Sequence, residues 1–421
     1  MLDVRFVKEN ISLIKKDLEK RGERDKIGWV DEAVKKHGQW KKLKDDNDKL
    51  RNKRNVITRE INQLQKQGKD IKAKVKEAKE LPGKISDSDK KLHELEERVI
   101  YILNNIPNVL HDSVPVGKDG TENREIKKWG KPVRAEGLKG HGELFEEKDL
   151  ADFNRASKIS GAGFHFLKGD LAKLELALIN FAVTELEKKG FTLIEPPFMM
   201  RRKPYEGVVA LQDFKDVMYK IEGEDNYLIA TSEHPIAAMY MNEVLDEKDL
   251  PMKFCGISTN FRKEIGSHGV DTRGLFRVHQ FNKVEMLVFS KPKDSWKMHE
   301  ELLAIAESIV KKLRIPYRVV SVCSGDIGAI AAKKYDIEAW SPRQNKYTEI
   351  ISCSNCTAYQ AVSLNVRYAN GKGEKDYVHT LNSTAIATGR MIVAIAENFQ
   401  SRDGSISIPE ALQKYLGKKK I

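Results

Sequence analysis

The sequence predicts an α+β protein: an N-terminal antiparallel pair of long helices, then a larger domain built on an antiparallel β-sheet flanked by helices. Three observations predict it. Apolar residues recur every seven positions through much of the first quarter of the chain. A stretch rich in Pro, Gly and Asn then interrupts that pattern. Beyond it, strand-like and helix-like segments mix without the regular alternation of a doubly wound fold. Neither GxGxxG nor GxxxxGK[ST] occurs, which points away from a Rossmann or P-loop domain.

The chain opens with a short helical segment, Val4 to Arg21. The heptad positions follow: Leu43, Leu50, Ile57, Leu64, Ile71, Ala78, Ile85, Leu92, Val99 and Ile106. Ile61, Val75, Leu95 and Ile102 complete the second seam position in places. Sustained heptads with charged flanks argue for a coiled coil. Two breaks compete for the turn, Gly68 and the Pro82-Gly83 pair. Pro-Gly is the stronger local breaker. Gly68 alone leaves arms of matching length, about 30 to 37 residues, each projecting roughly 45–55 Å at ~1.5 Å per residue. The expected hairpin therefore spans about 30–105 with its tip near Gly68 and a break or kink at Pro82. Taken alone, such a hairpin serves equally well for dimerisation.

Charge adds a direction. The 421 residues carry a net charge of +12, and the pI is about 9.2. Residues 1–110 hold 28 Lys/Arg against 20 Asp/Glu, so +8 of the +12 sits there. An excess of this kind suggests a polyanionic partner. No apolar run reaches the ~18 residues of a membrane span. The first 20 residues are charged throughout, unlike a secretory signal, and a cytoplasmic location is expected. Cys255, Cys323, Cys353 and Cys356 are too few and scattered for a disulfide framework. Cys353 and Cys356 form a CxxC with no second pair or close His pair, so no zinc is expected.

Ile106 to Gly130 reads as the boundary between domains 1–110 and 111–421. Helical patterns follow at Leu171–Lys188, Pro235–Leu245, Ser295–Leu313 and Ile386–Asn398. Tyr317–Cys323 and Tyr359–Tyr368 read as strands between them. The chemistry concentrates in Phe261 to Glu285, FRKEIGSHGVDTRGLFRVHQFNKVE. Its ends read as two strands. Arg262 and Glu264 alternate on the first, and Phe281, Lys283 and Glu285 on the second, which puts each set on one face. The loop between holds Gly266, Gly269 and Gly274 with Arg273 and Arg277. A guanidinium fork fits phosphate oxygens. A carboxylate accepts from an exocyclic amine, and a ring stacks on a base. The set suits a nucleotide, although an isolated charged hairpin is often no more than a solvated surface.

The full string resembles motif 2 of class II aminoacyl-tRNA synthetases, in the form found in seryl-tRNA synthetases. Three further segments resemble that family in order. TSEHP, Thr231 to Pro235, follows the strand-like YLIA and resembles its TxE loop. EIISCSNC, Glu349 to Cys356, matches a family strand. HTLNSTAIATGRMIVAIAENFQ, His379 to Gln400, resembles motif 3. It places Arg390 near a helix start, where the dipole disfavours a cation unless an anion is bound there. Lys189 to Arg202, with Pro197 as marker, resembles the motif 1 stretch that builds a homodimer interface.

The resemblance implies a serine–tRNA ligase that uses ATP and Mg²⁺. It implies that Arg262 bridges the α-phosphate and the serine carboxylate, and that Arg390 holds the γ-phosphate. Glu349 and Ser352 would coordinate the metal. Glu264 would accept from adenine and Phe281 would stack on it. Val278, His279, Gln280, Ile350 and Ile351 complete the implied ATP site. Serine would be held by Thr231, Glu233, Glu285, Asn382 and Thr384 together with Arg262. The basic hairpin would reach the long variable arm of tRNA(Ser), and tRNA(Sec) is a further candidate. Departures from the family pattern are Ala358 for an acid, Val362-Ser363 for two arginines, Val270 for a basic residue and Thr384 for serine. The variants resemble archaeal and eukaryotic members. Two other readings remain at this point: a synthetase-like protein that loads a non-tRNA carrier, and a non-catalytic RNA-binding coiled coil.

Overall fold

The computed structural model describes residues 1–135, 137–210, 217–264 and 274–421. The backbone forms two compact units, Leu2–Pro107 and Asn108–Ile421 together with Met1.

In the first unit, the expected opening helix is two, Val4–Glu9 and Ile11–Lys20. Asn10 leaves helical backbone between them, at φ −127° and ψ 30°. The long helices Ile27–Lys66 and Lys72–Asn105 follow. Gly68 lies between them at φ +64°, a left-handed backbone that glycine adopts without a Cβ penalty. Ile57, Leu81 and Ile85 form a buried cluster, with Leu50, Ile61 and Ala78 packed against it. Ion pairs cross between the helices. Arg98 forks onto Glu32 at 2.9 and 2.8 Å, and Arg51–Asp89, Lys53–Glu77 and Lys74–Glu60 tie the outer part.

The break expected at Pro82 is absent, because Lys72–Asn105 is one helix with Pro82 inside it. Proline inside a helix costs about 3 kcal/mol. Leu81 and Ile85, on either side, are buried at 3% and 6% exposure. Full burial of one such side chain stabilises by roughly 1.5–3 kcal/mol. The pair outweighs the local breaker.

The second unit is organised by an eight-stranded sheet. Its strands in chain order are β1 (Arg124–Trp129), β2 (Thr192–Ile194), β3 (Met252–Phe261), β4 (Gln280–Ser290), β5 (Tyr317–Ser321), β6 (Lys333–Ser341), β7 (Lys346–Asn355) and β8 (His379–Ala387). They lie in the order β1-β5-β6-β7-β8-β4-β3-β2. Neighbours are antiparallel except β2 and β3, which are parallel. The sheet is therefore the mainly antiparallel platform expected. The boundary stretch, however, ends inside it. β1 pairs with β5 at the edge, and its exposed side chains hide it from a hydrophobic-pattern reading.

On β4, Val284, Met286 and Val288 join the core shared with the helices Gly169–Glu187, Ser295–Lys312 and Thr388–Phe399. Leu287 and Phe289 belong to a second cluster, and by the same alternation Lys283 and Glu285 share their face. Two expected elements change type. Of Pro235–Leu245, only the beginning lies in a helix, Glu233–Ala238, and Val244–Asp246 is a strand beside Arg367–Ala369. Tyr359–Leu364 is a helix, not a strand, ended by Asn365 at φ +54°. Periodicity cannot separate the two in so short an apolar run. Tertiary contacts decide: the buried Gln360 amide donates to Val208 O at 3.2 Å and to Glu233 Oε1 at 2.9 Å, and its Oε1 accepts from Thr380.

Candidate active site

β3 ends at Phe261, so Arg262 and Glu264 lie just past the strand rather than in it. The Lys263 N–H is the cause, since it turns away to donate to Val217 O at 2.9 Å. Arg262 is nevertheless held on several sides. Its N–H donates to His279 O at 3.0 Å, its Nε donates to Ala230 O at 3.2 Å, and its guanidinium stands 5.3 Å from the Phe281 ring centroid. Arg277 pairs with Glu264 at 3.2 Å. Gly266, Gly269, Val270 and Arg273 lie outside the described residues.

Two β-bulges shape the opposite wall. Between β6 and β7 the register passes from Ile337↔Ile351 to Glu338↔Glu349, leaving Ile350 as an extra residue. An extra residue reverses the alternation beyond it. Glu349 and Ser352, three apart, therefore line one cavity. The same happens between β8 and β4, where Ala385 is extra and Thr384 and Ala387 both reach that cavity.

This cavity, about 310 Å³, is lined by Arg262, Glu264, Arg277, Phe281, Lys283, Lys334, Glu349, Ser352, Thr384 and Arg390 among others. Arg390 Nη1 donates to Glu349 O at 3.1 Å and pairs with its carboxylate at 3.2 Å. Burial alone would push the Glu349 carboxyl up, but Arg390, Lys334 and Arg262 outweigh it and hold it below the usual range. A second cavity, about 380 Å³, is lined by Ala230, Glu233, His234, Cys356 and Asn382 among others. Arg262, Lys334 and Ser352 line both.

Beside Arg262 lie the buried acids. Glu285 is 2% exposed and pairs with Lys283 at 2.8 Å. That ion pair engages Glu285 Oε2, and a carboxylate with two oxygens has further acceptor sites beyond one ammonium contact. Thr384 is its cross-strand partner on β8. The Glu233 N–H donates to Thr231 Oγ1 at 3.2 Å. Burial, reinforced by Glu285, pushes the Glu233 carboxyl up to about 7, against the opposing effects of Gln360, Lys283 and Arg262. Asn382 Nδ2 donates to Cys356 Sγ at 3.6 Å.

Most of the expected site residues therefore meet around Arg262. Five line neither cavity, among them Thr231 and Glu285, which are buried at 3% and 2% exposure. Ile351 belongs to the hydrophobic core, Gln280 is exposed, and the His279 ring pairs with Tyr219. Three others carry no role in the sequence-based expectations: Lys283, Lys334 and Gln360. Lys334 pairs with Asp336 at 3.1 Å, and burial with the Glu349 charge pushes Asp336 up to about 7 against the pull of Lys334. The Lys334–Asp336 alternation on β6 was the available signal, as it was for Phe281, Lys283 and Glu285.

The donors fit a magnesium ion only in part. Among the described residues no group of three or more His, Cys, Asp or Glu gathers. One carboxylate and one hydroxyl on the same cavity suit Mg²⁺ when phosphate oxygens complete its shell.

Comparison with known proteins shows the family. A family model described as the tRNA synthetase class II core domain (G, H, P, S and T) matches residues 218–399, and one described as the seryl-tRNA synthetase N-terminal domain matches residues 1–110. The serine–tRNA ligases of Methanocella arvoryzae and Methanoregula boonei are each 55% identical over 419 residues, covering 99% of both chains. The crystal structure of seryl-tRNA synthetase from Pyrococcus horikoshii complexed with ATP is similar with a TM-score of 0.91 and 46% identity, covering 100% of this chain and 99% of that one. Prolyl-tRNA synthetase from Giardia lamblia, at 17% identity and TM-score 0.57, shares the fold over 65% of this chain and 54% of its own. The chain belongs to the seryl-tRNA synthetase family, within the class II tRNA synthetases.

Proposed function

We infer that the protein activates L-serine with ATP and transfers it to tRNA(Ser). The observation that carries this reading is Arg262, which lines both the cation-rich cavity and the cavity holding Glu233. In the first step the serine carboxylate attacks the α-phosphorus, an oxygen–phosphorus bond forms, and pyrophosphate leaves. Two anions must meet, so neutralising charge is the main demand. Arg262 spans α-phosphate and carboxylate, and Arg390 takes the γ-phosphate. Glu264 accepts from the adenine amine, and Phe281 stacks on the ring. Lys334, on both cavities, adds a cation beside the phosphates. Magnesium, held by Glu349 and Ser352 with the phosphates, would neutralise phosphate charge. In the second step the tRNA 3′-terminal hydroxyl attacks the seryl carbonyl and AMP leaves. Thr231 and Glu233 hold the α-ammonium, Glu285 with Thr384 takes the hydroxyl, and Asn382 supports the pocket.

Amino-acid-dependent ATP–pyrophosphate exchange across the twenty amino acids, paired with charging of total tRNA, tests the reading. Exchange and charging with serine alone are expected. Exchange without charging would support a non-tRNA carrier instead, and no exchange would sink the catalytic assignments. A pH signature follows from Glu233. Below about 7 it takes up a proton in the empty site and loses its attraction for ammonium. The kcat/KM for serine should then fall with decreasing pH, approaching about tenfold per unit. A flat profile between pH 6 and 8 would remove Glu233 from ammonium binding.

The hairpin takes the tRNA. Residues 51–80 hold 10 Lys/Arg against 4 Asp/Glu, and Arg54, Arg59, Lys66 and Lys69 are exposed. Replacing these four by Gln should leave pyrophosphate exchange within about twofold while the KM for tRNA rises. The salt dependence of tRNA binding should flatten by about 0.7–0.9 log units per log unit of salt for each phosphate no longer neutralised. An unchanged tRNA KM would dismiss the arm as a phosphate reader. A tRNA(Sec) with the same long variable arm would be charged through the same basic face. The functional unit is a homodimer through the motif 1 stretch, where Leu193 on edge strand β2 and Met199 are 43% and 49% exposed. Among the described residues no helix is long and apolar enough to cross a membrane, and the substrates place the work in the cytoplasm.

A further inference from the structure

The helix that carries Arg390 near its start carries Glu397 two turns further on, 3% exposed. Residues seven apart share one side of a helix. Glu397 accepts from Ser341 Oγ and, at 3.3 Å, from Arg343 Nε. Its Oε1 stands 3.9 Å from His141 Nδ1, an electrostatic approach longer than a hydrogen bond. Burial pushes the Glu397 carboxyl up, but His141, Ser341 and Arg343 outweigh burial and hold it below the usual range. The opposite ring nitrogen, His141 Nε2, accepts the backbone N–H of Leu275 at 3.1 Å, and His141 and Leu275 are each 1% exposed. An imidazole that accepts at Nε2 carries its proton on Nδ1, the side that faces Glu397.

Leu275 sits in the short limb Gly274–Val278 that leads into β4. The limb is clamped from two directions. Gly274 has φ +149°, and a Cβ there would stand 2.0 Å from His141 Nε2. A Cβ on Gly389, in the first turn of the Arg390 helix, would stand 2.7 Å from Leu275 O. The next limb residue, Phe276, has its ring centroid 5.2 Å from the Arg390 guanidinium. The contacts close a circuit from Glu397 to His141, to Leu275 and Phe276, to Arg390, and back along one helix. Neither His141 nor Glu397 lines the phosphate cavity, whereas Leu275, Phe276 and Arg390 do.

We propose that His141 and Glu397 are positioning residues for the nucleotide: the imidazole, aimed by Glu397, pins the Gly274–Val278 limb and through Phe276 sets the place of Arg390. The proposal rests on reading that cavity as the ATP site. It differs from a plain core role in what it couples, since ATP binding should suffer and serine binding should not.

The test is His141→Ala, His141→Gln and His141→Asn in the full chain. Calorimetric ATP Kd, the KM for ATP and for serine in exchange, and Tm would all be measured. His141→Ala should raise both the Kd and the KM for ATP by roughly tenfold, the scale of removing one hydrogen bond to a buried backbone group, with the serine KM within about twofold. Gln places an acceptor near the Nε2 position and should restore most of the ATP affinity. Asn reaches only the Nδ1 position and should not. Glu397→Gln should fall between wild type and His141→Ala. An ATP Kd unchanged in His141→Ala overturns the proposal. So does an equal rise for ATP and serine that tracks a loss of Tm and is not relieved by Gln. If the wild type binds ATP without serine-dependent exchange, the reaction assigned above fails, and the Kd comparison still decides the clamp. If the wild type does not bind ATP, the clamp proposal falls with it.

Discussion

Arg262→Ala should lower kcat/KM for serine-dependent ATP–pyrophosphate exchange by roughly 10³-fold or more, a loss of about 4 kcal/mol of transition-state stabilisation. The size follows from position. Arg262 lines both cavities, and the reaction brings a carboxylate to an α-phosphate at that junction. Charge there increases in concentration as the two anions meet, so the loss should fall on kcat as well as on KM. The side chain is also tethered, by Nε to Ala230 O at 3.2 Å and by its approach to the Phe281 ring, so little reorganisation is needed when substrates arrive. Burial and the neighbouring Arg390 both disfavour the charged guanidinium, while Glu264, Glu285 and Glu349 favour it. The fold should therefore survive its removal, and a near-native Tm is the control. Arg262→Lys should rescue poorly, because an ammonium is a point charge and cannot fork across two oxyanions. Exchange rates for both variants, at saturating ATP and serine and below, would decide. A loss under tenfold in Arg262→Ala would remove Arg262 from the reacting centre.

The parts of this site legible in the sequence were those that obey simple alternation. Phe281 and Lys283 lie two apart on β4 and reach one cavity. The helix carrying Arg390 was foreseen, and it begins two residues later than expected, at Thr388. What alternation could not reveal were its reversals. Glu349 and Ser352 share a wall only because Ile350 is bulged, and Thr384 shares it with Ala387 only because Ala385 is. No residue type marks either bulge. The same limit applies to Tyr359–Leu364, where a buried amide with three partners, not propensity, selects the helix. It applies again at Pro82, where two buried neighbours override the breaker. His141 was invisible for another reason. It lies more than a hundred residues before the limb it is proposed to hold, and a lone His opening a short acidic helix carries no pattern. The resemblance to a family supplied roles for residues whose geometry a single sequence could not have ordered, and it passed over Lys283 and Lys334, which line the cavity.

Glu285→Ala should raise the KM for serine by roughly 10²–10³-fold and leave the KM for ATP within a few-fold. Glu285 is 2% exposed, its Oε2 is ion-paired with Lys283 at 2.8 Å, and Thr384 stands opposite on β8. A buried carboxylate has more acceptor sites on its two oxygens than a single ammonium fills, which makes it a demanding partner. It gains from a hydroxyl and is left unsatisfied by the methyl of alanine. Discrimination against alanine should therefore collapse in the variant together with serine affinity, because the wild type rejects alanine through the same buried acceptor. Lys283 complicates the single substitution. Its pairing with Glu285 at 2.8 Å disappears, and burial already pulls its ammonium below the ordinary value. Glu285→Ala thus leaves a buried cation without its partner beside the proposed α-phosphate site, which accounts for the few-fold allowance on the ATP KM. The double variant Lys283→Met with Glu285→Ala separates the two effects. If Glu285 reads the hydroxyl, the serine defect persists in the double variant and alanine remains a competitive substrate. If Glu285 serves only to hold Lys283, removing both restores serine binding. Equal rises in the serine and ATP KM that persist in the double variant would place Glu285 outside the serine pocket.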